Sequence, residues 1–224
     1  MVAIQSEPRL KVIAIDGPSA SGKGTVAARV ATILSRNYLD SGALYRLTAL
    51  YARQLGISWE NEHEVAAIAQ KLPVVFEEDL IVLNNENVTS AIRTERIGMG
   101  ASAIAAFPAV RAALLQRQRD FLTTNGLVAD GRDMASVVFP QAELKIFLTA
   151  SAQVRAQRRA LQLGLAIDGP DFLQILSDIE KRDQADLQRT VAPLKPVSDA
   201  KILDTSSLNI EESVKKVLDW YRKI

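Results

Sequence analysis

The chain has no cysteine in 224 residues, which excludes disulfides and thiolate metal sites. His63 is the only histidine. A histidine triad or a multi-histidine metal site therefore cannot form, and His63, in the polar stretch Asn-Glu-His-Glu, reads as a surface residue. Aromatic residues make up only 5% of the chain and the formal net charge is +1. That balance argues against a broad nucleic-acid footprint, and with so few aromatics nothing calls for an obligate oligomer; a monomer without nucleic-acid partners is expected. No apolar run approaches the ~20 residues of a membrane span. Residues 1–9 lack the basic start and long apolar core of a signal peptide, so the expected location is the cytoplasm.

What is present is an ordinary soluble composition, 48% apolar and 24% charged, long enough for one domain or one domain with an insertion. The organising stretch is Lys11-Val-Ile-Ala-Ile-Asp16 followed by Gly17-Pro18-Ser19-Ala20-Ser21-Gly22-Lys23-Gly24-Thr25. An apolar strand opens into a glycine-rich loop, and the loop feeds a helical pattern from Gly22 to about Arg36. Gly17 and Gly22 allow a tight turn that brings N–H groups to a ligand. The helix N-terminus beyond favours an anion. Lys23 can reach a terminal phosphate, and Thr25 offers a hydroxyl near Mg²⁺. Gly24 breaks the strict G-x-x-x-x-G-K-[ST] spacing by one residue, yet the order of elements still describes a mononucleotide phosphate loop.

After the loop, Val26, Val30, Ile33 and Leu34 recur at helical spacing and are expected on the sheet. Tyr38-Leu-Asp40 reads as a short extended segment. Ser41 reads as the N-cap of a helix through Leu44, Leu47, Tyr51 and Leu55, closed by Gly56. Another helix carries Val65, Ile68, Ala69 and Leu72. Residues 73–76, 80–83 and 88–92 are strand-like runs separated by Glu-Glu-Asp and Asn-Asn-Glu-Asn turns, too small a meander to stand alone. Helices follow at 95–107 and from Pro108 to about Thr124. Residues 127–130 and 144–148 read as strands, with a turn at Asn125-Gly126 before the first. Ser151 caps a helix bearing Arg155, Arg158 and Arg159, closed by Gly164. Phe172, Ile175, Leu176 and Ile179 mark another helix, residues 201–204 a last strand, and Asn209 with Glu212 a capping box. The alternation predicts an α/β fold: a doubly wound parallel five-stranded sheet with helices on both faces and a small antiparallel three-stranded insertion.

Two strands end in carboxylates, Asp16 and Asp130. Ligands gather beyond the carboxyl ends of parallel strands, so Asp130 is a candidate partner for Mg²⁺ or its water. Asp16 reads equally as a site residue or a helix cap. Arginine is the other signal: Arg46 after Asp40-Ser41-Gly42, Arg111 on the helix from Pro108, Arg132 after Asp130-Gly131, then Arg155, Arg158, Arg182 and Arg189. Arg182 and Arg189 are seven apart and share a face if the helix persists, with Asp186 between them. Moving a phosphoryl group between two phosphate-bearing substrates needs several cations and good positioning. No residue set offers an activated nucleophile, so no covalent intermediate is expected.

The loop from Gly17 to Thr25, the segment Tyr38-Leu-Asp-Ser-Gly-Ala-Leu-Tyr-Arg46 and Asp130-Gly-Arg-Asp-Met134 resemble bacterial cytidylate kinases. So do Phe139-Pro140, Lys145-Ile-Phe-Leu148, Lys181-Arg-Asp183 through Arg189, and Val191-Ala-Pro-Leu194. The likeness covers nearly the whole chain, and Gly-Lys-Gly-Thr is how nucleoside-monophosphate kinases write this loop. It implies transfer of the ATP γ-phosphate to CMP or dCMP, with Mg²⁺ as cofactor. By that resemblance, residues 17–25 (Gly17, Pro18, Ser19, Ala20, Ser21, Gly22, Lys23, Gly24, Thr25) hold ATP phosphates, Lys23 on the β and γ oxygens and Thr25 towards the metal. Arg46, Arg132 and Arg182 grip the CMP phosphate. Ser102, Arg111 and Asp133 read cytosine, while Ser41, Asp186 and Arg189 meet the sugar and neighbouring groups, with Asp130 in the same set. Arg158, with Arg155, belongs to a lid closing over ATP; Lys23, Arg132, Arg158 and Arg182 form the catalytic set. Arg117, Arg119 and Arg159 have no assigned role. The expected organisation is one kinase domain over 1–224: core about 9–56 and 108–224, insertion about 57–107, lid about 155–190.

Cytosine presents an amino donor beside ring-nitrogen and carbonyl acceptors, so a carboxylate with arginine and serine donors suits it. Uracil reverses donor and acceptor at two of those positions. A kinase for another monophosphate or small metabolite stays open, as does a P-loop switch, although no Asn-Lys-x-Asp guanine segment occurs.

Overall fold

The computed structural model describes residues 10–77 and 80–224. The expectation for residues 1–9, and the Glu78-Asp79 part of the first insertion turn, lie outside the described residues. In chain order the strands are β1 (Leu10–Asp16), β2 (Asn37–Asp40), β3 (Val74–Glu77), β4 (Leu80–Leu83), β5 (Glu86–Asn87), β6 (Leu127–Gly131), β7 (Ala142–Thr149) and β8 (Lys201–Asp204). The helices are α1 (Lys23–Ile33), α2 (Ser41–Gln54), α3 (Glu62–Gln70), α4 (Glu95–Ile104), α5 (Pro108–Arg119), α6 (Ala152–Gln162), α7 (Pro170–Gln188) and α8 (Ile210–Tyr221). They fall into two compact units: Asp40–Asp120, and the chain up to Leu39 together with Phe121–Ile224. The 57–107 insertion boundaries lie within the first of these.

The larger unit is built on a five-stranded sheet of order β2-β6-β1-β7-β8. β1 runs parallel to β6 and β7, and β7 parallel to β8. Val12, Ile13, Ala14 and Ile15 of β1 are all fully buried, as a central parallel strand covered on both faces requires. On one face Ile13 and Ile15 join Val128, Leu144, Ile146, Leu148 and Leu203 against Val26, Ala27, Val30 and Ala31 of α1 and Val214 and Val217 of α8. This bears out the expected α/β sheet, and Leu34 packs on it as expected. Ile33 does not: it is 57% exposed. The buried stripe runs 26, 27, 30, 31 and 34, and Ile33 falls beyond its edge in the last helical turn. The capping box at Asn209 and Glu212 forms in both directions, and Ser151 Oγ accepts from Val154 N.

The second unit holds the antiparallel sheet β3-β4-β5 with α2 to α5. Its third strand is two residues at 86–87, not the run 88–92. Asn84 and Asn85 both have positive φ, 49° and 65°, the backbone of a two-residue hairpin. Pairing therefore restarts at once, at Glu86 opposite Leu83. The ladder stops where Thr89 Oγ1 takes the Ile81 N–H, and residues 91–93 wind into a 3₁₀ turn. Asp40, not Ser41, caps α2: its Oδ1 accepts from Ala43 N at 2.9 Å, and Ser41 is the first helical residue. α4 and α5 end earlier than the apolar pattern implies, because residues 105–107 make the 103° bend between them and Asp120 is the C-cap of α5. Arg117, without a role in the sequence, donates to Leu72 O at 2.7 Å. His63 is exposed. Among the described residues no single helix is long and apolar enough to cross a membrane.

Gly17 leaves β1 where there is no room for a side chain: a Cβ there would lie 2.0 Å from Leu148 O. Gly17→Ala is expected to destabilise the fold by about 2 kcal/mol or more, read as a lower urea midpoint. Gly169→Ala, with nothing within 4 Å of the added carbon, should leave the midpoint unchanged.

Candidate active site

Gly17 N donates to Gly131 O at 3.3 Å, anchoring the loop to the end of β6. The loop then turns through two left-handed residues, Ala20 (φ 56°) and Gly22 (φ 88°). α1 begins at Lys23 with no side-chain cap on its first N–H groups, the arrangement that leaves backbone donors for an anion. Ser19 Oγ is buried and has no hydrogen-bond partner among the described residues, an orphaned hydroxyl inside a loop suited to phosphate oxygens. Thr25 is exposed.

Lys23 Nζ lies 3.8 Å from Asp130 Oδ2. Tyr38 Oη donates to Asp130 Oδ1 at 2.7 Å. The residue that breaks the loop spacing sits over this pair: a side chain on Gly24 would come 3.4 Å from Tyr38 Oη and 3.8 Å from each Asp130 oxygen. A Cβ at position 24 would make only ordinary van der Waals contact with this pair, so the extra glycine lies beside Asp130 without space alone requiring it.

Asp16 resolves as a cap. Its two oxygens accept from Met134 N and Ala135 N, both at 2.8 Å, holding the start of a π-helical turn over Met134–Val138. Asp133 opens that turn and is buried. Burial, partly offset by the two N–H donors and with Asp133 pushing the same way as burial, raises Asp16 from 3.8 to about 7.

A second cluster surrounds Asp186 on α7. Arg132 Nε meets Asp186 Oδ2 at 2.7 Å, and Arg189 Nη2 meets Oδ1 at 2.5 Å. Arg189 is not on the helix face expected for a seven-residue spacing. It lies just past the end of α7 with extended backbone (φ −55°, ψ 133°) and reaches Asp186 as an ion pair. Arg182 is held below the usual guanidinium value by burial, against the pull of Asp186.

Arg155 and Arg158 of α6 face the phosphate loop from behind. Arg155 Nη1 donates to Ser19 O at 3.2 Å and Arg158 Nη1 to Ser21 O at 3.2 Å. In the other unit, Arg46 on α2 donates to Ile92 O at 2.8 Å and Thr94 O at 3.3 Å. A Cβ on Gly98 would lie 2.9 Å from its Nη2, so α4 is close-fitted to this guanidinium. Arg111 on α5 donates to Ala105 O at 3.3 Å. Ser102 lies on α4, and Ser41 is buried at the start of α2. Sequence reasoning missed Tyr38, Asp183 and Thr205 as partners of Asp130, Arg155 and Arg158. Tyr38 and Asp183 stand in recognisable segments, but their partners lie 92 and 28 residues away.

The family model described as cytidylate kinase matches residues 13–223. The chain belongs to the cytidylate kinase family. It is 68% identical over 216 residues to the cytidylate kinase of Neisseria gonorrhoeae, covering 96% of this chain and 99% of that one. It is 56% identical over 212 residues to the cytidylate kinase of Chromobacterium violaceum, covering 95% and 96% respectively. Membership in the cytidylate kinase family agrees with the resemblance of the loop, the Asp40-Ser-Gly segment and the Asp130–Asp133 segment.

The Asp16 shift gives a signed pH test. A carboxyl whose folded pKa is raised contributes stability below its unfolded value, and this is lost as pH rises through about 7. Asp16→Asn, neutral throughout, should therefore cost less stability at pH 8 than at pH 5. Chemical denaturation of both proteins at the two pH values measures this; a cost that grows with pH would mean that the carboxylate is favoured when charged.

Proposed function

We infer that the protein is an ATP-dependent CMP kinase, moving the γ-phosphate of ATP to CMP or dCMP to give CDP or dCDP. The observation that carries this reading is the pairing, in one unit of a cytidylate-kinase-family chain, of a phosphate loop bearing Lys23 with a cationic cluster around Asp186. The first suits a nucleoside triphosphate; the second suits the phosphate of an acceptor. The finer choice of partners (ATP, CMP or dCMP, no nucleic acid, no membrane), a monomer, a cytoplasmic location and one kinase domain with its insertion and lid belong to the same proposal.

In this reading the backbone N–H groups from Gly17 to Thr25 take the ATP phosphates, and Lys23 neutralises charge on the β and γ oxygens. Asp130 and Tyr38 keep the lysine in place at the loop's edge. Thr25 and Asp130 would offer the oxygen donors that Mg²⁺ prefers, to the ion or to its water. Bound there, the ion would spread the negative charge of the triphosphate. Arg132 and Arg182 grip the acceptor phosphate, and Asp186 and Arg189, paired with each other, meet the sugar and neighbouring groups. Asp133 accepts from the cytosine amino group. The proposed roles of Ser41, Arg46, Ser102 and Arg111 in acceptor recognition rest on the residue-by-residue resemblance. Phosphoryl transfer asks the protein mainly for placement and charge neutralisation, which is what these side chains supply.

Lys23→Ala should keep its fold and lose on the order of 10²-fold or more in kcat, because stabilisation of transition-state charge is removed. Steady-state kinetics with ATP and CMP, beside a circular dichroism spectrum, checks this; wild-type turnover would sink the mechanism. Asp133→Asn should lower kcat/KM for CMP more than for UMP, since only cytosine donates an amino proton at that position. Assays of the wild type with CMP, dCMP, UMP, AMP, GMP and dTMP, followed by the variant with CMP and UMP, provide the comparison. A wild-type preference for a non-cytosine acceptor would overturn the base assignment.

A further inference from the structure

We propose that Arg155, aimed by Asp183, and Arg158 are positioning residues that hold the carbonyls of the phosphate loop on one side, so that its N–H groups face the ATP phosphates on the other. The proposal rests on the ATP-dependent reading above.

A trans peptide unit is planar, and its C=O and N–H point in opposite directions. Three carbonyls of the loop are captured. Pro18 O accepts from Ser21 Oγ at 3.0 Å. Ser19 O accepts from Arg155 Nη1, and Ser21 O from Arg158 Nη1, each at 3.2 Å. The N–H groups of Ser19, Ala20 and Gly22, which share those peptide planes, are thereby turned away from the captors. The loop needs such holders. Ala20 carries a Cβ at φ 56°, a left-handed backbone that costs an L-residue roughly 1–2 kcal/mol and persists only where its surroundings impose it.

Arg155 is built for the task. It is 3% exposed, and its Nε donates to Ala150 O at 2.9 Å. Its Nη1 meets Asp183 Oδ1 at 3.0 Å, and its Nη2 pairs with the other oxygen, Oδ2. A guanidinium is a rigid planar fork. Once Ala150 and Asp183 fix its plane, the direction in which Nη1 points at Ser19 is fixed as well. A lysine ammonium has no such plane. Moving Arg155 onto a nucleotide phosphate would also break its part-buried, two-pronged pair with Asp183. Arg158 is tied similarly, with Nη1 on Thr205 Oγ1 at 3.1 Å and Nη2 on Thr205 O at 2.5 Å and Leu208 O at 3.3 Å. Both arginines thus serve ATP through the loop's backbone.

The test uses Asp183→Asn and Arg155→Lys in the full chain. Each should raise the Kd and KM for ATP about tenfold, the scale of a lost charge-assisted hydrogen bond. CMP affinity and kcat at saturation should change by no more than about twofold to threefold. The Ala20 amide resonance in the nucleotide-free protein should shift in both variants, and the lysine should not rescue. An unchanged ATP affinity with an unchanged Ala20 resonance would overturn the proposal, as would equal weakening of ATP and CMP, which marks general loosening. A fall in kcat at constant KM for ATP would also overturn it, since Arg155 would then touch the transferring phosphate. Wild-type assays judge the kinase reading separately: if ATP and CMP gave no product, that reading would fall, while calorimetric ATP binding to wild type and Asp183→Asn would still decide the role of the pair.

Discussion

The junction between β1 and the phosphate loop constrains everything downstream. β1 lies between β6 and β7, so the chain leaves its carboxyl end through a gap with no space for a side chain: Leu148 O stands where the Cβ of residue 17 would go. Gly17 N turns instead to Gly131 O. That one backbone hydrogen bond ties the glycine-rich loop to the segment that carries Asp130, Arg132 and Asp133. A shift of the loop relative to β6 would separate Lys23 from Asp130, and the same shift would strain the link to the residue just before Arg132. The phosphate loop and the Asp130–Asp133 segment are therefore coupled through one backbone hydrogen bond and the short run of chain on either side of it.

The two strand-end carboxylates show how position decides role. Asp130 is nearly buried but is met by a lysine ammonium and a tyrosine hydroxyl, so its charge has direct partners. Asp16, equally enclosed, accepts from two backbone N–H groups, and burial outweighs them. The first steadies the ammonium of Lys23 at the phosphate loop. The second works as a structural cap that sets where the turn bearing Asp133 begins. Both follow apolar runs in the sequence and look alike there. The difference lies in what the third dimension brings opposite them.

What could be read from sequence was local. The strand-loop-helix order, the hairpin-rich texture after Pro73 and the Asn209 capping box all depend on residues within a few positions of each other, and they appear as expected. Ile33 and Ser41 failed for reasons one residue wide: a hydrophobic stripe that had rotated past its edge, and a carboxylate one position earlier that capped better than a hydroxyl. The third insertion strand failed because two asparagines closed a hairpin too tightly to leave a longer run. The partners of Arg155 and Arg158 were beyond reach altogether. Ser19 and Ser21 lie 136 and 137 positions away, and nothing in the spacing of an arginine announces a carbonyl on another element.

Arginine counting is the instructive case, because the same residue type here does three kinds of work. Arg36 is a staple: it pairs with Glu143 at 2.6 Å, donates to Tyr221 Oη at 2.6 Å and stacks 4.7 Å over that ring. Arg155 and Arg158 spend their donors on carbonyls, on Asp183 and on the Thr205 hydroxyl, so their forks act as rulers for a backbone. Arg132, Arg182 and Arg189 gather about a single carboxylate, Asp186. Burial already weighs against the charge on Arg182, and an incoming dianion would offset that penalty by supplying the opposite charge at close range. Forks satisfied by carbonyls hold shape, whereas cations crowded at a shared carboxylate leave positive charge for which an anion is a suitable partner. Telling the two apart requires knowing where each guanidinium's hydrogen bonds already go, and that is the information a sequence withholds.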